Sequence, residues 1–291
     1  MLIDTHSHLY TDSFDSDRDE AVARALESGV RAIILPGIDQ SHHTALMQTA
    51  AAYPNFCLPA IGLHPTSVDS NYKQELTSIE KALEAAQSNL SPYIAIGEIG
   101  IDGYWSKEYL NQQREAFERQ IEWAALYRLP VIIHSRNSFD DLYEILYRRR
   151  DLNISGVFHA FSGSYEQFKQ LQKCGNFRVG IGGVVTYKNA GLAEAVTKIG
   201  LTFLLLETDS PWLTPVPFRG KRNESSYLIY IVQKLSELLH KSFEEVSDIT
   251  TQNALTLFPQ CQLLFSLQNH ILETVSILPV DRQGKKPKTT N

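Results

Sequence analysis

Eight short apolar runs, set apart by longer stretches, constrain this chain more than any other feature. They are LIDTH (2–6), AIILPGI (32–38), FCLPAIGLH (56–64), YIAIGEIG (93–100), VIIHS (131–135), GVFHAFSG (156–163), FRVGIGG (177–183) and TFLLLETDSP (202–211). Each is near-continuously apolar, as strands buried on both faces must be. Helical patterns lie between them. Residues 17–28 lead to Gly29, a stop signal, and residues 109–128, 139–150, 165–174 and 226–240 carry apolar residues at helical spacing. Eight strands alternating with helices over roughly 250 residues point to a single-domain α/β fold, a (β/α)8 TIM-type barrel. A doubly wound open sheet is the alternative, but no Gly-rich dinucleotide fingerprint follows the first run, where THSH stands instead.

The barrel is expected over residues 1–262, with residues 263–291 as a C-terminal extension. Residues 263–278 have the pattern of a short amphipathic helix, and the polar, basic end (283–291) is expected to be disordered. With 43% hydrophobic and 21% charged residues, the chain can bury a large core. Its net charge of −6 argues against nonspecific nucleic-acid affinity through overall charge, so any phosphate must be held by a local site. Three scattered cysteines make no CxxC pair, which fits a reducing cytoplasm better than a disulfide framework or a thiolate zinc site. No signal peptide and no membrane span are expected, and no obligate protein partner is indicated.

The polar residues cluster at the ends of the runs. His6 and His8 end the first, His64 the third, Glu98 the fourth, His134 the fifth, His159 the sixth and Asp209 the eighth. In a barrel these ends ring one mouth, where active sites sit. His42, His43, His240 and His270 fall in helix or tail patterns and read as surface residues. An acid in an apolar setting is costly unless it is paired or metal-bound. Any one such histidine could be a hydrogen-bonded rim residue, but the whole set would then need six or more coincidences. Four histidines and two carboxylates exceed what one tetrahedral zinc takes. They suit two divalent metals bridged by a carboxylate, an arrangement that activates water for in-line displacement at phosphorus.

The stretches DTHSHL (4–9), IGLHP (61–65), IGEIGID (96–102), VIIHSR (131–136), FHAFSG (158–163), LLETDSPWL (205–213) and PFRGKRNE (217–224) occur in this order. Together they resemble the TatD family of metal-dependent deoxyribonucleases, within the amidohydrolase-like barrels. The resemblance covers residues 2 to about 260. It implies that His6, His8 and Asp209 bind one metal, that His134 and His159 bind the other, and that Glu98 bridges them. Asp209 would also orient or deprotonate the attacking water. His64, Arg136 and Arg219 would grip substrate phosphate, and Asp102 and Tyr104 would line the mouth. Arg222, with Arg219 and Lys221, forms a basic cluster placed to steer a nucleic-acid backbone. The sequence departs from the family pattern in three places, one of them the tail beyond about residue 262, which has no family counterpart. Ser225 stands where a proline is usual, and Thr256 where an arginine is usual.

The expected activity is 3′-to-5′ exonucleolytic hydrolysis of single-stranded DNA with two magnesium, manganese or zinc ions. An amidohydrolase or lactonase, or an aminoacyl-tRNA ester hydrolase, is the alternative. Those barrels often bridge their metals with a modified lysine, whereas IGEIG supplies a glutamate. A catalytically inactive metal-binding barrel is a third possibility, disfavoured because all six ligand types are intact.

Overall fold

Each apolar run forms a parallel strand at its expected place. A computed structural model describes residues 1–87, 91–105, 107–188 and 191–262. The strands are β1 (Leu2–Asp4), β2 (Val30–Leu35), β3 (Cys57–Pro59), β4 (Ile96–Asp102), β5 (Val131–Arg136), β6 (Ser155–Phe158), β7 (Asn176–Ile181) and β8 (Leu204–Leu206). They pair in strict sequence order, with no reversal: β1-β2-β3 in one sheet and β4-β5-β6-β7-β8 in another. That order removes the doubly wound alternative, which needs a switch point.

Two seams close the sheets into a barrel. Between β3 and β4, Ile94 N–H donates to Pro59 O (3.0 Å), Ile61 N–H to Ala95 O (3.2 Å) and Gly97 N–H to Ile61 O (2.9 Å). Between β8 and β1, Thr5 N–H donates to Leu206 O (3.0 Å), Asp209 N–H to His6 O (2.9 Å) and His8 N–H to Ser210 O (2.8 Å). Eight α-helices each follow one strand: α1 (Arg18–Glu27), α2 (Gln40–Ala52), α3 (Tyr72–Gln87), α4 (Leu110–Tyr127), α5 (Phe139–Arg148), α6 (Tyr165–Leu171), α7 (Leu192–Ile199) and α8 (Leu228–Leu239). The sequence pattern singled out five of these. A further helix, α9 (Phe243–Leu257), follows α8.

The helix ends have local causes. Gly29 takes φ of +88° behind α1, a backbone that an L side chain resists. Asp39 caps α2 by accepting His42 N–H, and Ser164 with Gln167 forms a reciprocal capping box on α6.

Alternate residues of each strand face opposite sides. Ile33 and Leu35 join the layer packed under the helices, whereas Ala32, Ile34, Ile3, Ile132, Val157 and Leu205 fill the barrel interior. These interior residues lie toward the strand starts. The end of α9 plugs that side, with Ala254, Leu257, Phe258 and Cys261 in the same cluster. Thr256 is exposed on α9, its hydroxyl donating to Gln252 O, so this departure lies on the outside of the plug. The proposed helix over 263–278 and the disordered end lie outside the described residues. Among the described residues no helix is long and apolar enough to cross a membrane.

Because Phe258 is completely buried in the plug, Phe258→Ala is expected to cost about 3–5 kcal/mol. Chemical denaturation checks this: the midpoint should fall while the slope with denaturant is kept.

Candidate metal centre

With one end plugged, the other end of the barrel is free to hold polar groups. The strand ends there converge on Glu98, near the middle of β4. Its side chain is buried, and both oxygens face imidazole nitrogens. Oε2 lies 3.0 Å from His6 Nε2 and 3.6 Å from His8 Nε2. Oε1 lies 2.9 Å from His134 Nδ1, 2.7 Å from His159 Nε2 and 3.1 Å from His64 Nε2. Asp209 closes the first side, with Oδ1 3.6 Å from His6 Nε2 and 3.8 Å from His8 Nε2. The backbone of Asp209 is held at φ of +55°, a conformation rare outside glycine, asparagine and aspartate.

Hydrogen bonds behind the imidazoles set their tautomers. Tyr10 Oη donates its one proton to Pro36 O (2.6 Å), so at 2.8 Å it can only accept from His8 Nδ1. That leaves the Nε2 lone pair of His8 aimed inward. His134 Nε2 donates to Asp102 Oδ2 (2.9 Å), leaving Nδ1 aimed at Glu98 and at His159 Nε2, 3.2 Å away. His64 is wired the other way. Its Nδ1 accepts Thr66 N–H (3.1 Å) and faces the Thr66 hydroxyl (2.6 Å), so the proton sits on Nε2 and points at Glu98. His64 is therefore a hydrogen-bond donor to the bridging carboxylate in this tautomer, although His64, Glu98 and His134 stand close enough to share an ion.

Charges follow from the packing. Burial alone would raise the Glu98 carboxyl, but the surrounding imidazoles, His159 foremost, outweigh it and hold it well below its ordinary value. Burial opposes a charge on His159, yet Glu98 pushes its value up to about 10. Burial, with the charge of His159, drives His6 well below 6.5.

The residues fit a cation on their chemistry. The donor atoms of His6, His8 and Asp209 lie within 4.8 Å of one another, as do those of His6, Glu98 and His159. Pairs of imidazole nitrogens face each other at 3.2 Å, at His6–His8 and at His134–His159, and the lone pairs of His8 Nε2 and His134 Nδ1 are aimed into the cluster. The buried Nδ1 atoms of His6 and His159 lack a hydrogen-bond partner.

The structure brings His6, His8, Glu98, His134, His159 and Asp209 together, as the sequence implied. Asp102, expected at the mouth, touches the cavity but is engaged on both oxygens: Oδ2 by His134, and Oδ1 by the N–H groups of Tyr104 (2.8 Å) and Trp105 (3.0 Å). It positions His134. Arg136 lines the cavity of about 630 Å³ above the cluster. Tyr104, Arg219 and Arg222 are not among its lining residues. Tyr104 stacks under Arg136, whose guanidinium is 3.8 Å from the ring centre. Arg219 stacks on Tyr187 at 4.4 Å, and Arg222 is held in a bidentate pair by Asp17. Arg222 thus braces the loop after β8 instead of facing the mouth. Ser225 is buried at the start of a short turn leading into α8.

Four residues escaped the sequence reading. Asp4 accepts Thr208 N–H (3.0 Å) and the Thr208 hydroxyl (2.6 Å), tying β1 to β8 under the cluster. Glu207 is completely buried, accepts Ala160 N–H and lies 3.9 Å from His159 Nδ1. A Cβ at Gly180 would collide with its Oε2, so glycine makes room for this carboxylate. Burial pushes Glu207 up to about 8 and Asp4 to about 6. Trp105 and Trp212 form part of the cavity wall.

The chain is similar to known proteins over most of its length. The family model described as TatD related DNase matches residues 3–259. The chain is 40% identical to the metal-dependent hydrolase YabD of Bacillus subtilis over 89% of this chain and 99% of that one. It is 32% identical to the metal-dependent hydrolase YjjV of Escherichia coli over 88% and 97%. The crystal structure of YjjV, a TatD homologue, superposes with a TM-score of 0.81 at 30% identity, covering 89% of this chain and 98% of that one.

Two outcomes are expected from this geometry. Asp102→Asn should weaken metal binding by about 10–100-fold, read by competition with a chromogenic chelator. The second concerns pH. His159 and Glu207 both bind protons more tightly in the fold than in the unfolded chain. Their contribution to the stability of the metal-free protein is therefore full below the ordinary values of 6.5 and 4.5. It is lost as pH rises through about 10 for His159 and about 8 for Glu207. Denaturation of the chelated protein should accordingly show stability falling between pH 6.5 and about 10.

Proposed function

The chain belongs to the TatD family of metal-dependent hydrolases, and we propose that it is a nuclease that removes nucleotides from the 3′ end of single-stranded DNA. The observation that carries this reading is the two-sided engagement of Glu98: Oε2 toward His6 and His8, Oε1 toward His134 and His159. A carboxylate so placed suits a bridge between two cations. When bound, two divalent cations lower the pKa of water and neutralise charge gathering on phosphoryl oxygens.

The chain's own groups would do the rest. His6, His8 and Asp209 would hold one cation and His134 and His159 the other, with Glu98 shared. Asp209 is the ligand best placed to take a proton, because its carboxyl lines the cavity and burial raises it above its ordinary value. His64 lines the cavity beside the bridge, and its Nε2–H would turn from Glu98 to meet a phosphate oxygen. Arg136, exposed at the mouth, brings a positive charge to the substrate's backbone. The net charge of −6 is compatible with a polyanionic substrate because the cations and Arg136 supply the local attraction.

Hydrolysis of a 3′-labelled single-stranded oligodeoxynucleotide tests the proposal. Metal-free protein, protein with magnesium, manganese or zinc, and Glu98→Ala would be compared. Stepwise loss from the labelled end should require added metal and fall by more than about 100-fold in the variant. A metal-loaded wild type that leaves DNA intact but opens lactones or aminoacyl esters would overturn the nuclease reading.

A further inference from the structure

Beside the cluster, two large aromatic side chains are left facing water. Trp105 is 69% exposed and Trp212 51%, yet both line the cavity that holds Glu98 and Asp209. They come from separate segments, one after β4 and one after β8. Each is tied to a metal-site residue through one backbone hydrogen bond. Trp105 N–H donates to Asp102, whose other oxygen holds His134. Trp212 N–H donates to Asp209 O at 2.9 Å. The Trp212 carbonyl is fixed in turn by Asn223 Nδ2 (2.6 Å), and its ring meets the His8 ring edge-to-face at 5.1 Å. Arg136 is wedged beside the other indole, 3.8 Å from the Tyr104 ring centre and 5.2 Å from that of Trp105.

Large apolar rings are not left in water at two independent positions of one cavity by the demands of the core, which neither ring joins. Their flat faces, with a cation at hand, match a ligand that is both aromatic and anionic. We propose that Trp105 and Trp212 stack on unpaired nucleobases flanking the scissile phosphate, with Arg136 on the intervening backbone. Such a site selects single strands, because paired bases already stack on one another, and it tolerates sequence, because every base has a π face. The inference rests on the nuclease reading and names how that site would recognise its substrate. It also assigns the work that the sequence had given to Tyr104 to its neighbour: Tyr104 supports Arg136, and Trp105 meets the base.

The test measures binding apart from cleavage. Fluorescence anisotropy of the full-length, metal-loaded protein would use labelled oligothymidylate and an abasic deoxyribose-phosphate oligomer of equal length, both with phosphorothioate linkages that resist cleavage. The wild type should bind the base-bearing strand about tenfold more tightly. Trp105→Leu and Trp212→Leu should each remove most of that preference while changing abasic affinity by less than about twofold. Trp105→Phe, which keeps a π face, should restore it. Equal affinity for both strands in the wild type, or equal losses on both strands in the leucine variants, would overturn the inference. So would binding of neither strand, as would happen if the two rings instead serve a protein or carbohydrate partner. A base preference without metal-dependent cleavage would sink the nuclease reading and leave the stacking site standing. Cleavage without a base preference would do the reverse.

Discussion

The buried charge of Glu98 is the constraint on which the rest of the mouth depends. A carboxylate taken out of water costs several kcal/mol unless its surroundings replace the lost hydration. Here the replacement is five imidazoles brought in on β1, β3, β5 and β6, or just beyond their ends. No single helix or hairpin could deliver five rings to one point. A closed parallel barrel can, because every strand ends at the same rim. The plug formed by α9 at the opposite end completes the arrangement, since it lets the interior stay apolar right up to the polar layer.

Much of this was legible in the residues. The eight strands could be read because a strand covered on both faces must be apolar throughout. The six clustered residues, Glu98 and Asp209 included, could be read because each breaks such a run where the barrel rim must lie. What escaped depends on direction and partnership. Glu98 and Asp102 are four apart on one strand, and Glu207 and Asp209 are two apart, spacings that put each pair on a common side. That signal was present, but it cannot tell which member enters the central cluster and which stands behind an imidazole. The tautomer of His64 rests on Thr66, a residue with no motif value of its own. Arg222 carries the same charge whether it greets a phosphate or braces a loop, and only the position of Asp17 decides between them. Helix α2 carries only a weak apolar stripe, so it emerges from packing, whereas α3 (Tyr72, Leu76, Ile79, Leu83) and α7 (Leu192, Ala195, Val196, Ile199) bury residues at a helical spacing already present in the sequence.

Two layers of support surround the cluster, and they differ in kind. Tyr10 and Asp102 act through hydrogen bonds that fix which nitrogen is free. Gly180 and Glu207 act through space, since the missing side chain of one admits the carboxylate of the other. A polar layer behind metal-binding groups of this sort orients them and tunes their basicity. In this barrel it also reaches outward, because Asp102 fixes both His134 and the turn that carries Trp105.

The two seams give the cluster a topological role. The sheet β1-β2-β3 carries His6 and His8, and the sheet β4-β5-β6-β7-β8 carries Glu98, His134, His159 and Asp209. A cation shared by His6, His8 and Asp209 would join the first strand to the last. It would close nearly the whole barrel into one covalent-and-coordinate ring, as a disulfide between the ends of a domain does. A cross-link spanning so long a stretch of chain restricts the unfolded ensemble more than a short one, by an amount that grows with the logarithm of the loop. A cation held there would thus also be the clasp of the barrel.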